Sequence, residues 1–372
     1  MALIKVIPRG APDVKSGRKN LIINGGMQVS QRGTSTTGNS NASGFYACDR
    51  VKLFNINAGP TYTVTQDTSA PAGFVNSFKV QCTTADTSLP ADHYTILRTG
   101  LIERSDMVQA HFGTSSAKSL TYSFWVKSNK TGNQLVMFVD HKNQKEIGQV
   151  FNIAVADTWE KKVITVIGNT GSSFDNSSSS GLTVDFYLAV GTNRSGGSTP
   201  TAWGDRVTIN AGATNLGIAD STANYFQITG VQLELGSVAT DFEYRSYGEE
   251  LSLCQRYFER LTYTSGMVLV ALQHGSTSGI IGITHSEKRS TPTITLPTAA
   301  NTNIANGISL LTSEGGFRTS AGAGTAAAST GSVTSFRIVF SSWPSSGSAG
   351  DATWCYFTSS TGTSHIDIAA EL

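Results

Sequence analysis

Between Asn20 and Gly236 the chain is a succession of short runs rich in β-branched and aromatic residues, set between clusters of Gly, Ser, Asn, Asp and Pro. NLIINGGMQVSQRG, RVKLFNIN, TYTVTQD, NSFKVQCTT, TILRTGLIE, SLTYSFWVKS, NQLVMFVDH, GQVFNIAVA, KKVITVIGN, LTVDFYLAVG, RVTINAG and YFQITGVQLELG carry the marks of half-buried strands. About a dozen strands over some 220 residues suit one two-sheet sandwich of jelly-roll type, each sheet with a buried and a wet face. In SLTYSFWVKS the alternation sends Tyr122, Phe124 and Val126 one way and Thr121, Ser123 and Trp125 the other. A large aromatic in mid-strand is expected to pack, so Trp125 is read as a packing residue before a sugar platform.

One stretch breaks the period of two. In DFEYRSYGEELSLCQRYFERL the residues Tyr247, Leu251, Cys254, Phe258 and Leu261 step by four, three, four and three, which predicts a helix over 241–261 with one apolar stripe. Ser246 followed three residues later by Glu249 is a capping box. Glu249 and Glu250 fall in the first turn and Arg256 and Arg260 in the last, complementing the helix dipole. A helix this short must bury its stripe, on its own β-domains or on copies of itself in a short seam. Tyr247, Leu251, Cys254, Phe258 and Leu261 are therefore the expected oligomer interface.

Residues 262–372 form a second β-region of sandwich size, with Gly/Ser loops between the runs. The expected architecture is all-β: an N-terminal arm over 1–19, a jelly-roll β-sandwich over 20–240, a connecting α-helix over 241–261 and a C-terminal β-sandwich over 262–372. The arm carries Pro8, Pro12, Lys5, Arg9, Lys15, Arg18 and Lys19 without an amphipathic period and reads as extended; its LIKVI is suited to add as a strand to a neighbour's edge.

Composition narrows the function. Charged residues are 14% and the net charge is +1, without a basic stripe, which argues against nucleic acid as a partner. No apolar run approaches the ~20 residues that span a bilayer, and the first residues lack a signal-peptide core, so synthesis and folding in a cytoplasm without membrane insertion are expected. Cys48, Cys82, Cys254 and Cys355 are far apart and read as buried thiols; the histidines are scattered, so no metal site or cofactor is expected. P-loop, HExxH and GxSxG motifs are absent, and no catalytic residues are assigned. Glu103 with Asp106, or Asp351 with Asp367, are the residue types a glycoside hydrolase pairs, but they read as solvated loop acids. The chain is thus expected not to be an enzyme. Aromatics in polar surroundings, Trp203, Trp343, Trp354 and Tyr356, are the candidate ligand-binding residues, because a flat ring flanked by amides and hydroxyls suits weak carbohydrate contact.

NLIINGGMQVSQRGTS, GFYACDRVKLF with its Asp49–Arg50 pair, SLTYSFWVKSNKTG and FQITGVQLELGSVATDFEYRSYGEELSLCQRYFER resemble tail-fibre and minor structural proteins of tailed bacteriophages over residues 20–260. The middle segment also resembles a jelly-roll carbohydrate-binding module. The resemblance implies a virion fibre protein, usually a homotrimer, attached to other virion proteins by its N-terminal arm and presenting its C-terminal domain to the host. The expectation is a receptor-binding protein of the virion, made in the host cytoplasm, that adheres to host surface glycan through several weak copies. Its rivals are a structural adaptor or decoration protein without a ligand, and a glycan-degrading tailspike.

Overall fold

Two antiparallel sheets built from residues 35–235 face each other across an aromatic core. The structure is a computed structural model describing residues 18–210, 212, 214–264, 268–275, 278–296, 308–311, 317–318, 325–329, 332–341, 352–357 and 363–372. One sheet has six strands in the order Ser35–Asn39, Thr61–Asp67, Ser77–Thr84, Tyr225–Leu235, Leu120–Ser128, Glu160–Val166. The other has seven, in the order Gly204–Asp205, Lys145–Ile153, Gly132–Asp140, Ser180–Val190, Tyr94–Glu103, Lys52–Ile56, Ala42–Gly44. The alternation expected in SLTYSFWVKS holds: Tyr122, Phe124 and Val126 are fully buried and Trp125 is half-buried on the outer side. Phe124 meets Phe186 edge-on at 5.3 Å and Tyr122 meets Phe138 at 5.9 Å. Such pairs add about 0.5–1.5 kcal/mol each beyond the burial of their area.

The second sandwich sets a three-stranded sheet against a seven-stranded one. The first is ordered Phe258–Thr264, Thr363–Ala369, Thr293–Thr295; the second runs Phe317–Arg318, Ile308–Leu311, Ala352–Phe357, Val268–Gly275, Ser278–Thr284, Ser335–Ser341, Thr325–Ser329. Tyr263, Ile366 and Ile368 from the small sheet and Ile281, Ile283, Phe336 and Ile338 from the large one share a single core. The fold is all-β, two sandwiches with a short helix between them.

Two of the expected strands are not strands. NLIINGGMQVSQRG is an irregular segment whose backbone is satisfied by side chains instead of a ladder. Asn20 accepts from Ile22 N and Leu233 N and donates to Val231 O, while Asn24 donates to Val29 O and Asp49 O and accepts from Val29 N. Asn24 and Met27 also take positive φ, 59° and 56°, which an extended strand does not contain. Among its described residues, RVTINAG forms a 3₁₀ turn at Thr208–Asn210 and no strand. Of the predicted arm, residues 1–17 lie outside the described residues; Lys19 is already fixed to the sandwich, its N–H donating to Glu243 and its Nζ to Asp241 O.

The helix is shorter than its periodicity implied. It spans Tyr247–Gln255 and starts with the expected reciprocal bonds between Ser246 and Glu249. Arg256 caps its end, and Phe258–Thr264 is already a strand, paired with Thr363–Ala369. FERLTYT satisfies a period of two as well as a helical stripe: Leu261 and Tyr263 alternate into the second core. The proposed interface of Tyr247, Leu251, Cys254, Phe258 and Leu261 is therefore not a helical seam. Cys254 and Phe258 are covered within the chain, Leu251 packs with Ile23, Val29 and Tyr257, and only Tyr247 is widely exposed, at 56%. Likewise Arg260 lies on the strand, where it grips Asp367 with two bonds of 2.6 and 2.7 Å.

Where the sandwiches meet, a dense set of charged groups lies beside the apolar cluster of Ile23, Val29, Cys254 and Tyr257. Glu103, 3% exposed, receives Nε and Nη2 of Arg256 at 2.9 Å each and the Tyr257 hydroxyl at 2.7 Å. Burial alone would raise its pKa; the Arg256 and Tyr257 bonds outweigh that and hold it below the usual carboxylate range. Glu371 receives Arg50 at 2.6 Å and Arg32 at 3.0 Å. The Arg50 guanidinium stacks 3.5 Å from the Tyr257 ring and that of Arg32 3.4 Å from the Phe258 ring. Asp49, buried beside them, accepts two bonds from Gln31, whose amide also donates to Phe258 O. Burial raises Asp49, with Gln31 and Arg32 opposing. Arg289 completes the joint by donating to Ala370 O, Glu371 O and Ser178 O.

Candidate functional site

The outward positions of the first sandwich's seven-stranded sheet carry the chemistry. Leu53, Leu97, Phe138 and Phe186 point into the core, so their neighbours on the same strands point out. Register then lines those neighbours up. Lys52 pairs with Arg98, Arg98 with Asp185 and Asp185 with Met137, making one row across four strands. Phe54 pairs with Ile96 and Ile96 with Tyr187, making the next.

Arg98 and Asp185 close a two-pronged ion pair, Nε to Oδ1 and Nη2 to Oδ2, both 2.7 Å. Asp185 is fully buried and Arg98 is 12% exposed. Burial alone would lower the Arg98 pKa, but Asp185 overrides it and the guanidinium is held more firmly charged than usual. Phe54, half-buried, has the Arg98 guanidinium and the Lys52 ammonium each 4.8 Å from its ring centre. Lys52 also lies 5.3 Å from the Phe45 ring. Its pKa is lowered by burial and then by the charge of Arg98, with Glu371 partly offsetting both. One further level along the face, Tyr94 is half-buried with the Arg194 guanidinium 4.3 Å from its ring. At the opposite border the His141 Nε2 sits 2.9 Å from the Thr183 hydroxyl; burial, then Arg98, push His141 down to about 4, so it is neutral at pH 7.

Residues 192–210 roof one end of this face. Pro200 O accepts from Gly148 N at 2.8 Å, and buried Glu146 accepts from Val207 N at 3.1 Å. Burial raises Glu146, which its bonds from Val207 N and the Asn210 amide only partly oppose. A Cβ at Gly148 would lie 3.2 Å from Met137 Sδ and 3.2 Å from Thr199 Cγ2, so glycine lets the segment settle on the sheet. Met137 and Leu135 are thereby fully buried, while Lys52, Phe54 and Tyr94 stay half-exposed. The result is a ledge, closed at the Met137 end and open at the Phe54 end. It offers two rings, an ammonium and two guanidinium groups to whatever lies along it.

The candidates named from the sequence fall elsewhere. Trp203 is a packing residue: its indole N–H donates to Ile167 O at 2.6 Å and its ring meets Phe112 at 5.6 Å, itself 5.7 Å from Phe174. Trp203 is only partly buried and packs at the edge of the core, with its N–H already engaged. Trp343 lies outside the described residues. Trp354 and Tyr356 stand on the strand Ala352–Phe357, opposite Val270 and Val268, and their side chains lie outside the described ones. Trp125 touches the space next to Gly230 and Phe74 on the outside of the six-stranded sheet. Of the hydrolase-type acids, Glu103 belongs to the joint, Asp106 pairs with Arg18 and Asp367 with Arg260; Asp351 lies outside the described residues.

Lys52, Phe54, Tyr94, Arg98 and Asp185 were not singled out in the sequence. Their signal was a lone charge inside an otherwise apolar run, Arg98 in YTILRTGLIE and Asp185 in LTVDFYLAV. Cys48, Cys82 and Cys254 are free and buried, and burial pushes the Cys82 thiol up to about 11. Among the described residues no cluster of three or more His, Cys, Asp or Glu could hold a metal, and no helix is long and apolar enough to cross a membrane.

No family model matches the chain, and no curated protein matches it. Among solved structures, the enzymatically active domain of tailspike protein 4 of bacteriophage CBA120 is similar at 13% identity and TM-score 0.31. That match takes in 58% of this chain and 21% of the tailspike chain, so this protein spans about a fifth of its length. The carbohydrate-binding module CBM4 is similar at 13% identity and TM-score 0.31, over 57% of this chain and 99% of the module. A family 61 module in complex with β-1,4-galactotriose is similar at 11% identity and TM-score 0.27, over 59% and 99%.

Proposed function

We propose that this chain is a bacteriophage virion fibre protein that attaches to host-surface glycan along the ledge of its first sandwich, without cleaving it. One observation carries the reading: Phe54 and Tyr94 lie half-exposed at the open end of a sheet face, flanked by Lys52, Arg98 and Arg194 as donors. Rings supply apolar contact and cations supply directed hydrogen bonds, the combination that sugars require. Both oxygens of Asp185 are taken by Arg98, so it serves as an anchor for the donor and not as an acid or nucleophile. Single contacts of this kind are weak, so the protein works as a homotrimer, mounted on other virion proteins through residues 1–19. The test is retention of the isolated protein on host cells and on purified host polysaccharide. Binding that falls tenfold or more in Phe54→Ala, with polysaccharide length unchanged, supports the reading; no retention at any concentration of the native assembly overturns it, and shortened polysaccharide favours a tailspike.

The ion network of the joint favours a second reading, a structural adaptor without a ligand. Arg32, Arg50, Arg256 and Arg289 bind Glu103, Glu371 and backbone carbonyls so densely that the two sandwiches are set in one orientation. An adaptor of that kind keeps its fold and assembly in Phe54→Ala and binds no polysaccharide in either form.

A further inference from the structure

We infer that the glycan on this ledge is an acidic one, with carboxylates received by Lys52 and Arg194. The inference rests on the reading of the ledge as a glycan site and specifies its substrate class.

The first observation is a like-charge pair. Lys52 and Arg98 are direct cross-strand partners on the same face, an arrangement that costs stability unless something neutral or negative lies between them. Asp185 neutralises Arg98 with both of its oxygens. Lys52 has the Phe45 and Phe54 rings as neighbours and makes no side-chain hydrogen bond or ion pair among the described residues; Glu371, whose oxygens are taken by Arg50 and Arg32, offsets its charge only in part. It is half-buried, so the lack of a directly paired carboxylate is felt more strongly than it would be in open water.

Arg194 repeats the arrangement further along. Its guanidinium lies against Tyr94, and its Nε donates only to a backbone carbonyl, Asp92 O, at 3.2 Å. The Asp92 carboxylate is engaged instead by the Asn193 amide at 2.9 Å. The ledge therefore presents three cations against Asp185 and Glu371, both already engaged by arginines. Tyr94, over whose ring Arg194 lies, pairs with Ile56, four residues from Lys52, so its row stands about 13 Å along the sheet from that of Lys52 at ~3.3 Å per residue. One small anion does not reach both. A polymer that repeats its acidic group does, and a neutral sugar leaves both cations half-desolvated and unmatched.

The test uses the full-length protein on a panel of immobilised bacterial polysaccharides in which each uronic-acid polymer is printed beside its own carboxyl-reduced form. Reduction turns the carboxylate into a primary alcohol and leaves the backbone as it was. Retention on the acidic polymers, lost on their reduced partners, is expected. Lys52→Met and Arg194→Gln should each weaken it tenfold or more, while Lys161→Met, an exposed lysine on the other sheet, leaves it unchanged. Equal retention on acidic and reduced forms overturns the acidic assignment and leaves glycan binding standing. Equal losses in Lys52→Met and Lys161→Met overturn it as well, since they mark general charge attraction. Retention on no polymer, acidic or neutral, removes the glycan reading itself and this inference with it. Lys52 is half-exposed, and an unchanged melting temperature in Lys52→Met excludes misfolding as the cause of a loss.

Discussion

Arg98 and Asp185 stand opposite each other on neighbouring strands and bind through two bonds of 2.7 Å, with the carboxylate fully buried and the guanidinium reaching Phe54. Breaking a buried pair on one side leaves the partner's charge without compensation, which costs about 3–5 kcal/mol, somewhat less here because Arg98 keeps a little solvent contact. Asp185→Asn should lose about 3 kcal/mol in urea denaturation. The double change Asp185→Leu with Arg98→Met should recover most of it, since two apolar groups leave no charge unpaired. A single-variant loss under about 1 kcal/mol would remove the pair as the anchor of the ledge.

His141 makes stability depend on pH in a known direction. Its pKa falls from 6.5 to about 4 on folding, through burial first and the charge of Arg98 second. Between those two values the unfolded chain takes up a proton that the folded chain refuses. Stability therefore drops as pH falls from 6.5 towards 4, by up to about 3 kcal/mol for this residue, and it is flat in this respect above 6.5. His141→Asn should be less sensitive than the native protein across that window when denaturation midpoints are compared at pH 7 and pH 4.5. Parallel curves for the two proteins would show that the ring is not shielded as described.

Leu251 is partly buried within its own chain, packed against the cluster of Ile23, Val29, Cys254 and Tyr257. Leu251→Asp should destabilise the joint by about 2 kcal/mol, as a carboxylate set against apolar neighbours does, and should leave the native mass unchanged. A fall in native mass with unaltered stability would restore the helix as an intermolecular seam.

Gly230 and Gly38 form a matched pair. Both take positive φ, 61° and 69°, yet a Cβ at Gly230 would come 2.6 Å from Phe74 Cζ and 3.0 Å from Trp125 Cδ1, while one at Gly38 meets nothing within 4 Å. Gly38→Ala should cost only the backbone penalty, about 1 kcal/mol, and Gly230→Ala at least twice that. Calorimetry of the two variants separates strain from collision.

Strands of the first sandwich were legible because their alternation is repeated many times and needs no knowledge of partners. The Asn20–Gln31 segment was not, because Asn20 and Asn24 replace a strand ladder by side-chain bonds that no propensity records. At the helix end, FERLTYT satisfied two periods at once and only its pairing with Thr363–Ala369 decided between them. Asp49 and Arg50, conspicuous in GFYACDRVKLF, prove to be joint residues, bound to Gln31 and Glu371. Trp203 looked exposed because its loop is polar, yet the indole turns back onto Phe112. The ledge was hidden for a different reason: Arg98 and Asp185 are 87 residues apart, and nothing short of strand order and register brings them together.

Hydroxyl-radical footprinting, which reads side-chain exposure residue by residue, tests the ledge most directly. The protein is oxidised alone and saturated with whichever polysaccharide retains it, and the modified residues are mapped. Phe54 and Tyr94 should lose most of their oxidation on binding, while Tyr244 and Tyr247, exposed at 59% and 56% near the helix, keep theirs. Unchanged oxidation of Phe54 and Tyr94 with protection elsewhere would place the ligand off this face and contradict the account.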